Sequence, residues 1–417
     1  MKFIDEFRDR ELARGLATAI AAEAHPGRTY RLMEFCGGHT HAIFRYGVQD
    51  LMPANVRFVH GPGCPVCVLP TARLDQAMAM TERHGLILCT YADLMRVPAS
   101  NRRSLLKAKA AGADIRMVYS TQDALAIARA NPGRQVVFFA IGFETTTPPT
   151  AVALKQAKGE GLGNFSVFCN HVLTPPAMRA ILASAGGPDV EPSNDGRTSA
   201  APRDSGGGNL SPAGVASAKP ADASPGHAPD QAGGLAIDGI LGPSHVSTVI
   251  GSAPYAFVAS EFGKPLVIAG FEPLDVMQAS LMLIRQINAG HAEVENQYLR
   301  AVTPEGNRKA QALMAEVLAR RDTFEWRGLG FLADSAQRLN DAYADFDAER
   351  RFPVAVPPSC EVKGCECPAV LRGVKEPADC RLFGTVCTPE NPMGSCMVSS
   401  EGACAAYWSY GRFRAKA

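Results

Sequence analysis

Sulfur, imidazole and carboxylate groups gather in a few short stretches of this 417-residue chain. Met33-Glu-Phe-Cys-Gly-Gly-His-Thr-His41 sets the Cys36 thiol and the His39 and His41 imidazoles within six residues. Thiolates and imidazoles are soft or borderline donors suited to iron, zinc or copper, and a thiolate is also a nucleophile. Gly37 and Gly38 suit a sharp turn and a close approach to a ligand. His60-Gly-Pro-Gly-Cys-Pro-Val-Cys67 adds a Cys64-x-x-Cys67 pair, a redox or metal signature in an intracellular α/β setting. A helical pattern starts just beyond, near Thr71, and a thiol beside a helix N-terminus is more acidic and more reactive. Ala140-Ile-Gly-Phe-Glu-Thr-Thr-Thr-Pro148 puts Glu144 at the end of an apolar run. There it could act as general acid or base, or orient a ligating histidine. The hydroxyls of Thr145, Thr146 and Thr147 are equally suited to cap a helix beginning near Pro149. His171 ends an apolar run and His245 precedes another at 246–251, positions where a lone histidine is more often a satisfied polar group than a ligand.

The cysteines are unevenly spread. Seven of the 12 (Cys360, Cys365, Cys367, Cys380, Cys387, Cys396 and Cys404) fall within residues 360–404. The first ten residues are charged and lack the apolar core of a secretory signal, so a cytoplasmic protein is the expectation. In a reducing compartment such a cluster serves metal binding or redox chemistry rather than structural disulfides. Paired CxxC knuckles of the zinc type do not occur in the 360–404 array, and its irregular spacing favours an iron–sulfur cubane.

The elements that must position these groups follow from periodicity. Short apolar runs at 30–35, 56–60, 86–90, 115–119, 135–141, 165–170 and 265–269 read as strands. Helical patterns at 71–83, 103–111, 121–130, 150–158, 176–184, 273–288 and 304–320 alternate with them, giving βαβ units and parallel sheets. An amphipathic helix is expected over 3–24. Gly, Ala, Ser and Pro supply 32 of the 49 residues 186–234, too little apolar surface to offset ordering, so this stretch is expected to be a disordered insertion. From about 340, Pro, Gly and Cys dominate, and such a region needs a metal or cluster to hold it together.

In this order, FCGGHTH (35–41), GPGCPVC (61–67), GFETTTP (142–148), HVSTVIG (245–251) and PADC, FGTVC and GSCMVSSEGACAAY (within 377–407) resemble the HypD family of hydrogenase maturation proteins. The resemblance covers nearly the whole chain outside 186–234. It implies a maturation factor for nickel–iron hydrogenase, a scaffold and redox centre for assembly of the Fe(CN)2CO group. It implies two partners, a HypC-type small chaperone that shares the iron and a HypE-type cyanide donor. It implies a 4Fe–4S cluster held by a C-x14-C-x6-C-x16-C pattern, which here falls on Cys365, Cys380, Cys387 and Cys404. Cys396 is then left near the cluster, and Cys367 is the rival of Cys365. By the same carry-over, Cys36 and His39 hold the iron under assembly. Cys64 and Cys67 form a redox dithiol or further iron ligands, and Glu144 joins Cys36, His39, Cys64 and Cys67 in one cleft. The chain departs from the family in the 186–234 insertion and in Ser244, where the family usually has Gly.

Pattern and resemblance together give the expected fold: two Rossmann-like parallel-sheet α/β domains, at 25–120 and 121–270, and a smaller C-terminal iron–sulfur domain at 271–417 packed with the N-terminal helix. No standard turnover reaction is assignable. Two other functions fit the cysteines: a 4Fe–4S-dependent protein disulfide reductase acting through Cys64 and Cys67, and a zinc-stabilised interaction protein. With 42 Lys+Arg against 41 Asp+Glu, nothing points to a nucleic-acid partner. The apolar runs are far short of the roughly 20 residues of a membrane helix, so no membrane partner is expected. No GxxxxGK[ST] supports nucleotide binding.

Overall fold

The computed structural model describes residues 5–185, 237–355 and 358–412; the expected insertion lies outside them. The architecture is α/β, with two parallel sheets flanked by helices. Sheet one contains β1 (Tyr30–Glu34) and β2 (Val56–His60). Sheet two contains β3 (Ile87–Thr90), β4 (Ile115–Met117), β5 (Val136–Gly142) and β6 (Phe165–His171). The chain then returns to sheet one with β7 (Gly239–Gly242), β8 (Leu266–Ile268) and β9 (Val294–Asn296). The strand orders are β2-β1-β7-β8-β9 and β4-β3-β5-β6. Sheet membership therefore does not follow the expected ranges 25–120 and 121–270. Strands β1 and β2 belong with β7–β9, and β3–β6 form an excursion between them.

Strands covered on both faces carry continuous apolar runs because both sides of each residue plane are buried. All seven residues of β5 are buried. Val137, Phe139 and Ile141 enter one core, while Val136, Phe138 and Ala140 enter another. In sheet one, Tyr30 and Leu32 join Ile20 and Leu283, whereas Met33 faces Ile181 and Tyr255. Helix α1 (Arg10–Glu23) lies along the helix Pro273–Ala289 on sheet one. Asn288 Nδ2 donates to Glu23 O at 2.7 Å and Tyr30 donates to Asn288 Oδ1 at 2.7 Å. The N-terminal helix thus packs on the first sheet, because the long helix it covers completes that sheet's apolar face.

The C-terminal region begins with short antiparallel pairs, Leu318–Arg320 with Gln337–Leu339 and Thr323–Trp326 with Gly330–Ala333. It is fastened to β6 by charge. Arg73 donates to Glu349 at 2.6 Å and Arg321 donates to the other carboxylate oxygen. Both arginines also donate to Cys169 O, at 3.1 and 3.2 Å. Burial alone would raise the Glu349 carboxyl, but the charges of Arg73 and Arg321 outweigh it and hold it at about 2. A depressed carboxyl stabilises the fold above its unfolded value and loses that contribution only as pH falls towards 2. Glu349→Gln, which strands two largely buried guanidinium groups, is expected to lower unfolding free energy at pH 7 by about 3–5 kcal/mol in urea denaturation. An unchanged midpoint would mean that the cluster carries no net stabilisation.

Candidate metal and thiol site

Parallel pairing of β1 with β2 sets Glu34 directly opposite His60. Their side chains meet, with His60 Nδ1 2.9 Å from Glu34 Oε1. The other carboxylate oxygen accepts the Cys36 N–H at 3.0 Å, and Thr40 donates its hydroxyl to the same side chain. Glu34 is fully buried, which pushes its carboxyl up against the pull of His60. It ties the end of β1 to α2 (Gly37–Tyr46), whose N-cap is Cys36. Gly37 and Gly38 therefore open a helix rather than make the expected sharp turn. Their value is close approach: Phe271 lies against Gly38 and Glu401 against Gly37.

The two sulfur motifs touch. Gly37 N–H donates to Gly63 O at 3.1 Å. A Cβ on Gly63 would stand 2.5 Å from the Cys36 nitrogen and 2.6 Å from its Cα, so only glycine fits. Cys64 then caps α3 (Pro65–Val68), accepting the Cys67 N–H on its sulfur at 3.2 Å. Cys64 and Cys67 are disulfide-bonded, with Cα atoms 5.2 Å apart. The helix expected near Thr71 follows as α4 (Thr71–His84).

His39 is fully buried. Its Nε2 lies 3.1 Å from each of Ala269 O, Gly270 O and Ser244 Oγ. Carbonyls only accept, so Nε2 carries the proton and Nδ1 keeps its lone pair. That Nδ1 has no hydrogen-bond partner among the described residues, as is also the case for His171 Nδ1. Burial lowers the His39 pKa to about 4, so the imidazole is neutral near pH 7. Burial, then the Glu401 charge, pushes the Cys36 thiol up to about 12, although the amides of Gly38 and His39 pull the other way. Cys36 is thus held as a protonated thiol near neutral pH. His41 turns towards the C-terminal region, with Nδ1 3.4 Å from Ser400 O and its ring edge-on to Tyr410. His245 packs on Phe271, and His171 Nε2 lies 2.9 Å from Thr150 Oγ1.

Glu144 sits at the end of the other sheet. Its oxygens accept the Thr174 N–H at 2.9 Å and the Thr174 hydroxyl at 3.0 Å. Burial, then the Glu144 charge, pushes the nearby Tyr255 hydroxyl well up, and that hydroxyl lies 3.4 Å from Ser247 Oγ. The threonines after Glu144 do not cap the helix as expected. Thr146 and Thr147 instead donate their hydroxyls to Phe143 O, at 3.2 and 3.0 Å.

The C-terminal thiols converge. Cys365, Cys380, Cys387 and Cys404 line one small cavity together with Cys367, Cys396, Leu382, Phe383 and Met397. Burial, then the charges of the other three thiols of this quartet, push Cys404 well up. Gly394 admits Cys365: a Cβ there would meet the Cys365 sulfur at 2.5 Å. Cys367 and Cys396 are paired in a second disulfide, Cα atoms 6.2 Å apart, which removes Cys367 as a free thiol. Cys360 is exposed and apart, its N–H bonded to Ser100. Among the described residues no three His, Cys, Asp or Glu donors already stand in a metal-coordinating arrangement. The quartet shares a pocket whose donor set, four thiols and apolar walls, suits an iron–sulfur cluster.

Ser395 joins the two sulfur regions. Its hydroxyl donates to Cys67 O at 2.9 Å and lies 3.5 Å from the Cys367 sulfur, while its carbonyl is 4.0 Å from the Cys67 sulfur.

The sequence matches the HypD family, described as "Hydrogenase formation hypA family", over residues 11–190 and 227–411. The chain belongs to the HypD family. The match leaves out 191–226, most of the expected insertion. Hydrogenase maturation factor HypD of Rhizobium leguminosarum bv. viciae is 59% identical over 416 residues, covering 100% of this chain and 97% of the relative. The protein of the same name from Cupriavidus necator is 56% identical, covering 99% and 98%. That of Escherichia coli K12 is 43% identical, covering 98% of each. Among the described residues no helix is long and apolar enough to cross a membrane.

Burial pushes the Glu144 carboxyl up to about 7. A carboxyl raised in the folded state adds stability that is full below its unfolded value and lost as pH rises through 7. Glu144→Gln keeps partners for both Thr174 groups and removes the buried charge. It is expected to be more stable than the parent at pH 8 by about 1–3 kcal/mol, with no gain at pH 5, in urea titrations. Equal effects at both pH values would show that Glu144 is not the titrating group.

Proposed function

We propose that this chain is a hydrogenase maturation factor on which the Fe(CN)2CO group of nickel–iron hydrogenase is assembled. The observation that carries this is the contact between Cys36 and the Cys64–Cys67 pair through Gly63, beside a buried histidine with an idle Nδ1. Cys36 and His39 would hold the iron, which is cargo here. Strong-field cyanide and carbonyl ligands favour low-spin iron supported by thiolate. The names of the relatives place them in hydrogenase maturation, and the partners proposed are a HypC-type chaperone that shares the iron and a HypE-type cyanide donor. Cys365, Cys380, Cys387 and Cys404 would hold a 4Fe–4S cluster, which supplies single electrons when bound.

The two disulfides support a redox role for the dithiol. Reducing either takes two electrons and two protons, and a cluster delivers electrons singly, so an external iron–sulfur or flavin donor must act twice. Exchange between the Cys367–Cys396 dithiol and the Cys64–Cys67 disulfide passes both electrons on with no further reductant. The same arrangement suits the second reading, a 4Fe–4S-dependent protein disulfide reductase.

The test is anaerobic co-purification with the HypC-type chaperone followed by infrared spectroscopy. Bands from iron-bound cyanide and carbonyl are expected, and Cys36→Ala should abolish them while leaving the iron and sulfide content of the C-terminal site unchanged. Bands that persist in Cys36→Ala would remove Cys36 as the ligand. Turnover of a disulfide substrate without chaperone or cyanide donor, and no such bands, would favour the reductase. Full hydrogenase maturation by Cys64→Ala would count against the dithiol.

A further inference from the structure

One buried carboxylate reaches both sulfur loops. Glu34 has no exposed surface, and both of its oxygens are bonded. Oε2 accepts the Cys36 N–H at 3.0 Å, while Oε1 accepts from His60 Nδ1 at 2.9 Å and from the Thr40 hydroxyl. A carboxylate only accepts, so His60 carries its proton on Nδ1. The His60 ring packs on Phe44 of α2 with centroids 5.1 Å apart, and its side chain is only 11% exposed. The Glu34 backbone takes part as well. Its carbonyl accepts the Gly61 N–H at 2.9 Å, and a Cβ on Gly61 would stand 2.6 Å from that oxygen. Gly63 N–H donates to Gly61 O at 2.9 Å, and Gly63 O accepts the Gly37 N–H. These bonds close a circuit from Cys36 through Glu34, Gly61 and Gly63 to Gly37, the residue after Cys36.

Two side chains hold this circuit: Glu34 from within it, and His60 as a brace from the strand that leads into the Gly61–Cys67 loop. A buried carboxylate is costly unless its oxygens are bonded, and three donors on Glu34 make it a fixed hub rather than a free ligand. Groups that orient a ligating residue from behind change metal affinity by about 10–100-fold when they are removed. We infer that Glu34 and His60 are a positioning pair that fixes Cys36 against the Cys64–Cys67 loop and so sets how tightly ferrous ion is held at Cys36. This rests on the proposed iron role of Cys36 and goes beyond it by naming the residues that place its thiol. Glu34→Gln breaks the hub, because its amide nitrogen donates and leaves either the Cys36 N–H or the His60 and Thr40 donors without an acceptor. His60→Leu fills the ring's space but removes the donor, whereas His60→Asn sets its Nδ2 donor in the place of Nδ1.

The experiment uses the full chain, purified and reduced under anaerobic conditions, with ferrous ion titrated in against a chromogenic chelator. C36A supplies the background from every other iron site. Above that background, E34Q and H60L are expected to weaken ferrous binding by about 10–100-fold at parental melting temperature. H60N is expected to restore what H60L loses, which a merely space-filling role of the ring would not do. Parental affinity in E34Q and H60L overturns the inference, and so does H60N as weak as H60L. Where E34Q melts early, the comparison of H60L with H60N decides. Where H60L melts early too, H60N alone decides, parental affinity supporting the pair and a loss overturning it. Parent protein that takes up no more iron than C36A would instead remove the iron reading of Cys36 itself, a result seen before any positioning variant is made.

Discussion

The parallel pairing of β1 with β2 is the constraint on which the site depends. Because Glu34 and His60 share a register position, the two strands end together, and both sulfur motifs leave the same edge of the sheet. A shift of one residue would turn Glu34 to the other face and break its hold on Cys36 and Thr40. The absence of a side chain at Gly63 then lets one loop lie on the backbone of the other. Strand ends β7 and β8 supply Ser244, Ala269 and Gly270, so His39 is oriented by segments more than 200 residues away. This is the usual location of a ligand site in an open parallel sheet, beyond the carboxyl ends of the strands.

Burial decides the electrostatic state of that site. Cys36 is held as a thiol and His39 as a neutral imidazole. A thiol made this reluctant to ionise is not a free nucleophile at neutral pH. A cation that takes the proton's place gains a thiolate in a water-poor setting, where its attraction is strong. Glu34 and Glu401, both nearby, oppose the thiolate but would favour the incoming cation.

Much of this was legible in the sequence because the strands with strong apolar runs, β1 to β6 and β8, sit within a residue or two of where periodicity puts them. Strands β7 and β9 were not, since Gly-Ile-Leu-Gly and Val-Glu-Asn are too short to show a period and become strands only by pairing. Helix α2 escaped for a related reason. Gly-Gly-His-Thr is a poor helix start by propensity, and it is held by Glu34, Phe271 and Glu401 rather than by its own preference. The grouping of Cys36 with Cys64 could be read from strand-end motifs. The link through Ser395 could not, because a serine beside a cysteine carries no spacing signal. Glu34 had a faint signal, a carboxylate at an inward position of an otherwise apolar strand.

The excursion of the chain through β3–β6 before it returns to sheet one also fixes an order of events during synthesis. Cys36 and Cys64 leave the ribosome early, whereas the carbonyls that orient His39 follow some 230 residues later and Ser395 later still. A nascent chain therefore exposes its sulfur pairs long before it can orient them. The connectivity of the sheet thus leaves the His39 imidazole without its orienting carbonyls until β8 has been made.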